Sequence, residues 1–196
     1  QASAGHCRSA QNLARRPARL WPSFSYTGRD KAFNDLAVSI SLNGTANVML
    51  DSGAFTIHNA KKRSDLTLDT YCDYLEANAD AFEKYVMLDV IRSEAKTKAN
   101  YEAMVERGFN PMFVFTEHDD DWGYLDDVID HQPHVCVAGG VTNKGDWMVK
   151  RYQDVFRTNN KALIHGLGFV KYPDMYRVPI HSVDSSSWIQ GGAVYG

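Results

Sequence analysis

The sequence is poor in cysteine and has no close pair: Cys7, Cys72 and Cys136 stand far apart, and no Cys-x-x-Cys occurs. That spacing argues against a disulfide framework or a zinc knuckle and predicts buried free thiols. No stretch of about 18 apolar residues is present, so no membrane-spanning helix is expected. The N-terminus lacks the apolar core of a secretory leader, and a cytoplasmic setting is the expectation. A Gly-x-Gly-x-x-Gly fingerprint and a P-loop are both missing, which removes two common routes to a nucleotide site. The net charge is only −3, which does not by itself announce a nucleic-acid partner.

The charge is unevenly spread. Arg8, Arg15, Arg16, Arg19, Arg29 and Lys31 face Asp30 alone within residues 1–31, a local net of +5, which leaves −8 for the rest of the chain. Lys61, Lys62 and Arg63 form a second basic cluster, and Lys150 with Arg151 a third. Such a map is either a set of solvated faces or a phosphate-binding surface hidden inside a neutral total. Residues 1–17, polar, basic and aperiodic, read as a disordered arm or the remnant of something longer.

Residues 18–196 read as one β/α domain. Short apolar runs alternate with segments of helical spacing. The runs are 48–50, 86–88, 112–115, 135–138, 162–164 and 180–183, with weaker strand candidates at 20–26 and 36–40. Their continuous apolar character is that of parallel strands covered on both faces. Between them, Leu68, Tyr71, Leu75, Ala79 and Phe82 share a helical face, with Thr67 as the expected N-cap. Tyr101, Met104 and Val105 form a second face, closed by Gly108 as a C′ glycine. Trp147, Met148, Tyr152, Val155 and Phe156 form a third, and Tyr124, Val128 and Ile129 a short fourth.

Almost every predicted strand ends in a group capable of chemistry: Asp51, Asp89, Glu117 with His118, Gly139-Gly140, His165-Gly166 and Asp184. Functional groups at many strand ends are the mark of a TIM-type barrel, whereas an open doubly wound sheet concentrates them at one switch point. The barrel is the expected fold. At 196 residues the chain is short for eight units, which usually take about 250, so either the barrel is incomplete at its C-terminus or the N-terminal segment supplies the missing elements.

Three carboxylates carry the candidate chemistry. Asp51 ends a strand and enters the Ser52-Gly53-Ala54-Phe55 turn, where glycine lets a ligand approach closely. Asp184 ends another, followed by Ser185, Ser186 and Ser187, which can hold a carboxylate ionised, and by Trp188, which can wall a flat ligand. Asp89 ends a third. Two carboxylates beside a glycosidic carbon can act as nucleophile and acid/base, and a third can read a purine edge. Gly139 and Gly140 leave room for a ring, and His165 can orient a carboxylate or a phosphate. The run Asp119-Asp120-Asp121 reads as a solvated acidic loop.

Taken together, these residues resemble the tRNA-guanine transglycosylase superfamily. Asp51-Ser52-Gly53-Ala54-Phe55 is similar to its Asp-Ser-Gly-Gly-Phe motif. Asp184 matches the place of its nucleophile, Asp89 that of its base-reading aspartate, and Ala138-Gly139-Gly140 and His165-Gly166-Leu167-Gly168 two turns of its base pocket. The form Ser182-Val183-Asp184-Ser185-Ser186-Ser187-Trp188 resembles more closely the branch of deoxypurine-in-DNA protein A, which is found in phages and bacterial islands. The likeness spans roughly residues 23–192. It departs from the tRNA enzymes in having no Cys-x-Cys-x-x-Cys zinc motif and no Val-Gln-Gly-Gly turn; Phe115-Thr116-Glu117-His118 occupies about that place.

The resemblance implies a pentosyltransferase that exchanges guanine for a 7-deazaguanine derivative, in DNA rather than tRNA, through an aspartyl-glycosyl intermediate. Asp184 and Asp51 would be catalytic, with nucleophile and proton carrier open to exchange between them. Asp89, Ser52, Gly53, Phe55, Gly139, Gly140, His165, Gly166 and Trp188 would hold the base, and Lys61, Lys62 and Arg63 the phosphates. No cofactor, metal or membrane is expected, and the cytoplasm would be that of a host if the protein is phage-encoded. Two rival readings stand beside it: a metal-dependent barrel hydrolase using His118, His165, His181 and the aspartates, and a non-catalytic or truncated nucleic-acid-binding relative.

Overall fold

The computed structural model describes residues 23–25, 35–36, 38–39, 42, 48–59, 66–116, 119–138, 146–169 and 172–184. The expected basic arm, Lys61–Arg63, Glu117, His118, Gly139, Gly140 and residues 185–196, with Trp188, lie outside them. Among the described residues seven strands run in chain order: β1 (Ser23–Ser25), β2 (Met49–Asp51), β3 (Lys84–Tyr85), β4 (Phe113–Phe115), β5 (His134–Ala138), β6 (Leu163–Leu167) and β7 (Ile180–Val183). The helices are α1 (Ala54–Asn59), α2 (Leu68–Asn78) with a 3-10 turn at Ala79–Ala81, α3 (Glu94–Glu106), α4 (Trp122–His131), α5 (Asp146–Thr158) and α6 (Tyr172–Met175).

Every strand pairing is parallel and joins neighbours in sequence: β1-β2-β3 in one sheet and β4-β5-β6-β7 in another. A parallel bridge between Val86 and Met112 links the two. The chain is therefore a parallel α/β protein with its strands in sequential order. No closed barrel is found among the described residues.

Parallel register fixes which residues share a face. Val114, Cys136, His165 and Ser182 lie side by side across β4 to β7. The two-residue alternation of a strand adds Asp184 to that face. Traced back through Met112 and its bridge to Val86, the same face takes in Lys84, Met49 and Asp51. The opposite face carries Phe113, Phe115, Val135, Val137, Ile164 and Gly166, and the helices cover it. Phe113 stacks edge-on with Tyr101 of α3 and Tyr124 of α4, Phe115 with Trp122, and the Tyr152 hydroxyl of α5 donates to Val137. The two faces thus divide the labour, one packing helices and the other collecting acids and a histidine.

Local signals account for the helix ends. Thr67 caps α2 in a reciprocal box with Thr70. Gly108, at φ 87°, closes α3 in a Schellman motif, its N–H bonded to Val105 and that of Phe109 to Met104. Cys72 and Cys136 are buried free thiols, as expected.

The structure also corrects several expectations. The 36–40 run is no strand, since Leu36, Val38 and Ser39 are helical. Parallel pairing of β1 with β2 demands a crossover between them, and a run with both i+2 and i+4 apolar spacing can serve as one. The strand expected at 86–88 lies earlier, at Lys84–Tyr85, with Val86 keeping only its bridge. Val105, Trp147 and Phe156 are exposed, not core. The 119–121 run is a loop with Asp120 and Asp121 exposed, as expected, and it has local structural roles besides: Asp119 accepts from the Thr116 N–H at 2.5 Å and Asp121 caps α4 through Tyr124.

Candidate functional site

Asp51 leaves β2 into a turn where Gly53 adopts φ 76°, a conformation that disfavours other residues. Ser52, only 1% exposed, accepts the Ala54 N–H at 3.4 Å and donates its hydroxyl to Asp89. Asp51 and Asp89 are close enough for the charge of one to act on the other. Phe55 is exposed on α1.

Asp89 follows β3 on a loop that α3 holds from both sides. The Val90 N–H donates to Thr97 Oγ1 at 3.0 Å, and that hydroxyl donates back to the Val90 carbonyl at 3.3 Å. Asn100 donates to the Leu88 carbonyl at 2.9 Å. Arg92, just beyond, takes a left-handed φ of 63°. Burial, then the neighbouring Asp51 charge, push the Asp89 carboxyl up to about 6, against the Ser52 hydroxyl and its own backbone N–H.

Asp184 has the opposite environment. Burial would raise its carboxyl, but His165, the Gly168 N–H and its own backbone together hold it below the usual carboxylate range. The Gly168 N–H donates to Oδ1 at 2.7 Å, and His165 Nε2 stands 3.7 Å from the same oxygen. Gly168 can offer that N–H because it turns at φ 64°.

Between the acids lies Cys136, wholly buried. Its thiol is pushed well up by burial and then by the charges of Asp184, Asp51 and Asp89. All three carboxylates therefore act on one point of the strand face, and their environments drive two of them apart, Asp184 downward and Asp89 upward.

Other predicted residues fall differently. Gly166 belongs to the helix-facing side: a Cβ there would meet Tyr152 Oη at 2.8 Å, Ile180 Cδ1 at 2.9 Å and Phe169 Cβ at 3.0 Å. Its lack of a side chain serves the packing of α5 on β6. Arg151 is buried on α5. Its guanidinium lies over the rings of Phe115 (4.1 Å) and Trp122 (4.7 Å) and donates to the carbonyls of Thr116 and Asp119, so it ties down the loop after β4. Among the described residues no cluster of three His, Cys, Asp or Glu side chains is arranged to hold a metal. No helix there is long and apolar enough to cross a membrane.

Sequence reasoning missed Thr97, Asn100 and the part played by Ser182. Thr97 left a signal: it lies on the same helical face as Tyr101 and Met104, and a hydroxyl on an apolar face needs a partner. No family model matches the chain, and no curated protein matches it.

Proposed function

We propose that the chain is a base-exchanging transglycosylase on a TIM-type barrel, replacing guanine in nucleic acid, DNA rather than tRNA, by a 7-deazaguanine derivative. The observation that carries the reading is the convergence of Asp51, Asp89 and Asp184 around the buried Cys136 with opposed shifts, Asp184 held below the usual carboxylate range and Asp89 pushed up to about 6. Carboxyl groups whose environments drive them apart are how one site combines a nucleophile with an acid. Sequential parallel strands, with helices packed on the Phe113, Phe115 and Val137 face of β4 and β5, support the barrel. The motifs around Asp51 and Asp184 support the guanine chemistry, and the serine-rich form after Asp184 favours DNA.

In this mechanism Asp184 bonds to C1′ as the C1′–N9 bond breaks. The electron pair passes to the departing guanine, which takes a proton from the Asp51–Asp89 pair. The incoming base attacks C1′ from the vacated side, gives its N9 proton back to that pair, and the ester bond to Asp184 breaks. Asp89, neutral part of the time near pH 6, offers the base a donor and an acceptor on one group. The target nucleotide has to leave its stack to reach the strand ends.

The test is exchange of labelled guanine or a 7-deazaguanine into duplex DNA and into tRNA, by the wild type and by Asp184→Asn. Label in DNA that the variant abolishes supports the whole reading. Label in tRNA alone keeps the chemistry and moves the substrate. Label in neither overturns the proposal. A denaturation-resistant protein–DNA adduct that survives Asp184→Ala would transfer the nucleophile to Asp51.

A further inference from the structure

His165 stands opposite Ser182 across the β6–β7 pairing, at the point where the register shifts after Ile164. Ser182 and Asp184 are two residues apart on one strand face, so a single imidazole lies against both. Its Nδ1 is 2.8 Å from Ser182 Oγ, and its Nε2 is 3.7 Å from Asp184 Oδ1. The residue is 2% exposed, and Nε2 has no hydrogen-bond partner among the described residues. A buried nitrogen left in that state is costly, a cost that an apolar side chain at this position would avoid. The Gly168 N–H and His165 Nε2 both address Oδ1.

A serine hydroxyl can donate to an imidazole nitrogen or accept from it. If it donates to Nδ1, the ring proton sits on Nε2 and meets the carboxylate with the favourable sign. If it accepts, a neutral ring turns a lone pair on an anion. A gap of 3.7 Å exceeds a direct hydrogen bond, but such contacts are often long in unliganded sites and tighten with substrate.

We propose that His165 is the positioning residue of Asp184: Ser182 fixes the imidazole with its Nε2–H toward Oδ1, which leaves Oδ2 as the oxygen that bonds to the sugar carbon. The bonding step rests on the transglycosylase reading, whereas the pairing of the three side chains does not. As the Oδ2–C1′ bond forms and the C1′–N9 bond breaks, Oδ1 becomes the ester carbonyl and accepts Nε2–H. When the incoming base displaces the ester, the pair of electrons returns to the carboxylate and the anchor is restored.

Two readouts test this on the full chain. The first is the nitrogen-15 NMR spectrum of labelled histidine near neutral pH, with His165 assigned by its loss in His165→Gln. A proton on Nε2, in the neutral ring or the imidazolium, supports the pairing, and Ser182→Ala should shift the neutral ring toward the Nδ1–H form. A lone pair on Nε2 in the wild type overturns the proposal. The second is base exchange. His165→Leu should lose about a hundredfold in kcat, the scale of a misplaced reacting group, with KM changed little, and His165→Gln, which keeps an N–H for Oδ1, should recover most of it. Wild-type kcat in a folded His165→Leu overturns the proposal. Should that variant fail to fold, Ser182→Ala carries the same test with a smaller deletion. A wild type that exchanges no base refutes the transglycosylase reading, and the tautomer still decides the pairing.

Discussion

Replacing Asp89 by asparagine isolates the free energy of one buried carboxylate. Burial and the Asp51 charge raise its carboxyl from 3.8 to about 6. A rise of roughly two pH units, at 1.36 kcal/mol each, is about 3 kcal/mol. The folded chain holds this proton more tightly than the unfolded one. The contribution is therefore fully present below 3.8 and is lost as pH climbs through about 6. Above that window the wild type carries an anion that the fold disfavours, while asparagine keeps the shape and an oxygen to accept the Ser52 hydroxyl. Urea unfolding of both proteins, followed by tryptophan fluorescence, measures the difference. Near pH 4 the two should agree within about 1 kcal/mol, and near pH 8 the variant should be up to about 3 kcal/mol more stable. Asp184 works in the other sense: its depressed carboxyl stabilises above the unfolded value and loses that as pH falls. Its term cancels in the comparison, provided the substitution leaves Asp184 undisturbed. A variant less stable by the same amount at every pH would refute the reasoning, because it would mean that the carboxylate is needed for its hydrogen bonds and not penalised for its charge. On the proposed function, the more stable variant should nonetheless lose base exchange, the trade expected of a strained site.

Three further outcomes follow from the packing. Gly166→Ala should lower stability by about 1–3 kcal/mol in thermal or urea unfolding, since the new methyl would lie 2.8 Å from Tyr152 Oη; adding Tyr152→Phe should restore part of the loss. Thr97→Val removes both hydrogen bonds to Val90 and should cost about 1–2 kcal/mol, while loosening Asp89 enough to raise KM for the base more than it lowers kcat. Arg151→Lys should cost about 1–3 kcal/mol by urea titration, because an ammonium cannot both lie flat on Phe115 and Trp122 and donate to the Thr116 and Asp119 carbonyls.

What could be read from the sequence, and what could not, divides along the range of the interactions involved. Val135, Val137 and Ile164 are apolar because both their faces are covered, so the strand carries its own label. Thr67 and Gly108 do work within one helical turn, and each was legible for that reason. The 36–40 run failed because five residues satisfy two periods at once, and the deciding fact, the pairing of β1 with β2, lies outside the run. The acids repeat the pattern. Asp51, Asp89 and Asp184 were visible as strand ends, since a carboxylate after an apolar run is a local oddity. The common face of Asp51 and Asp184 was not visible, because it depends on a chain of registers from Met49 through Met112 to Ser182, and the nearness of Asp89 to both depends on how its loop is held. The same registers separate two residues that the sequence treated alike. His165 turns toward Asp184, and Gly166, its neighbour, turns toward Tyr152. A motif read as one unit is thus two devices back to back, one holding the carboxylate and the other seating the helix. The outer can be tested by stability alone and the inner by chemistry alone, so Gly166→Ala and Ser182→Ala should part company: the first should lower stability more than kcat, the second kcat more than stability.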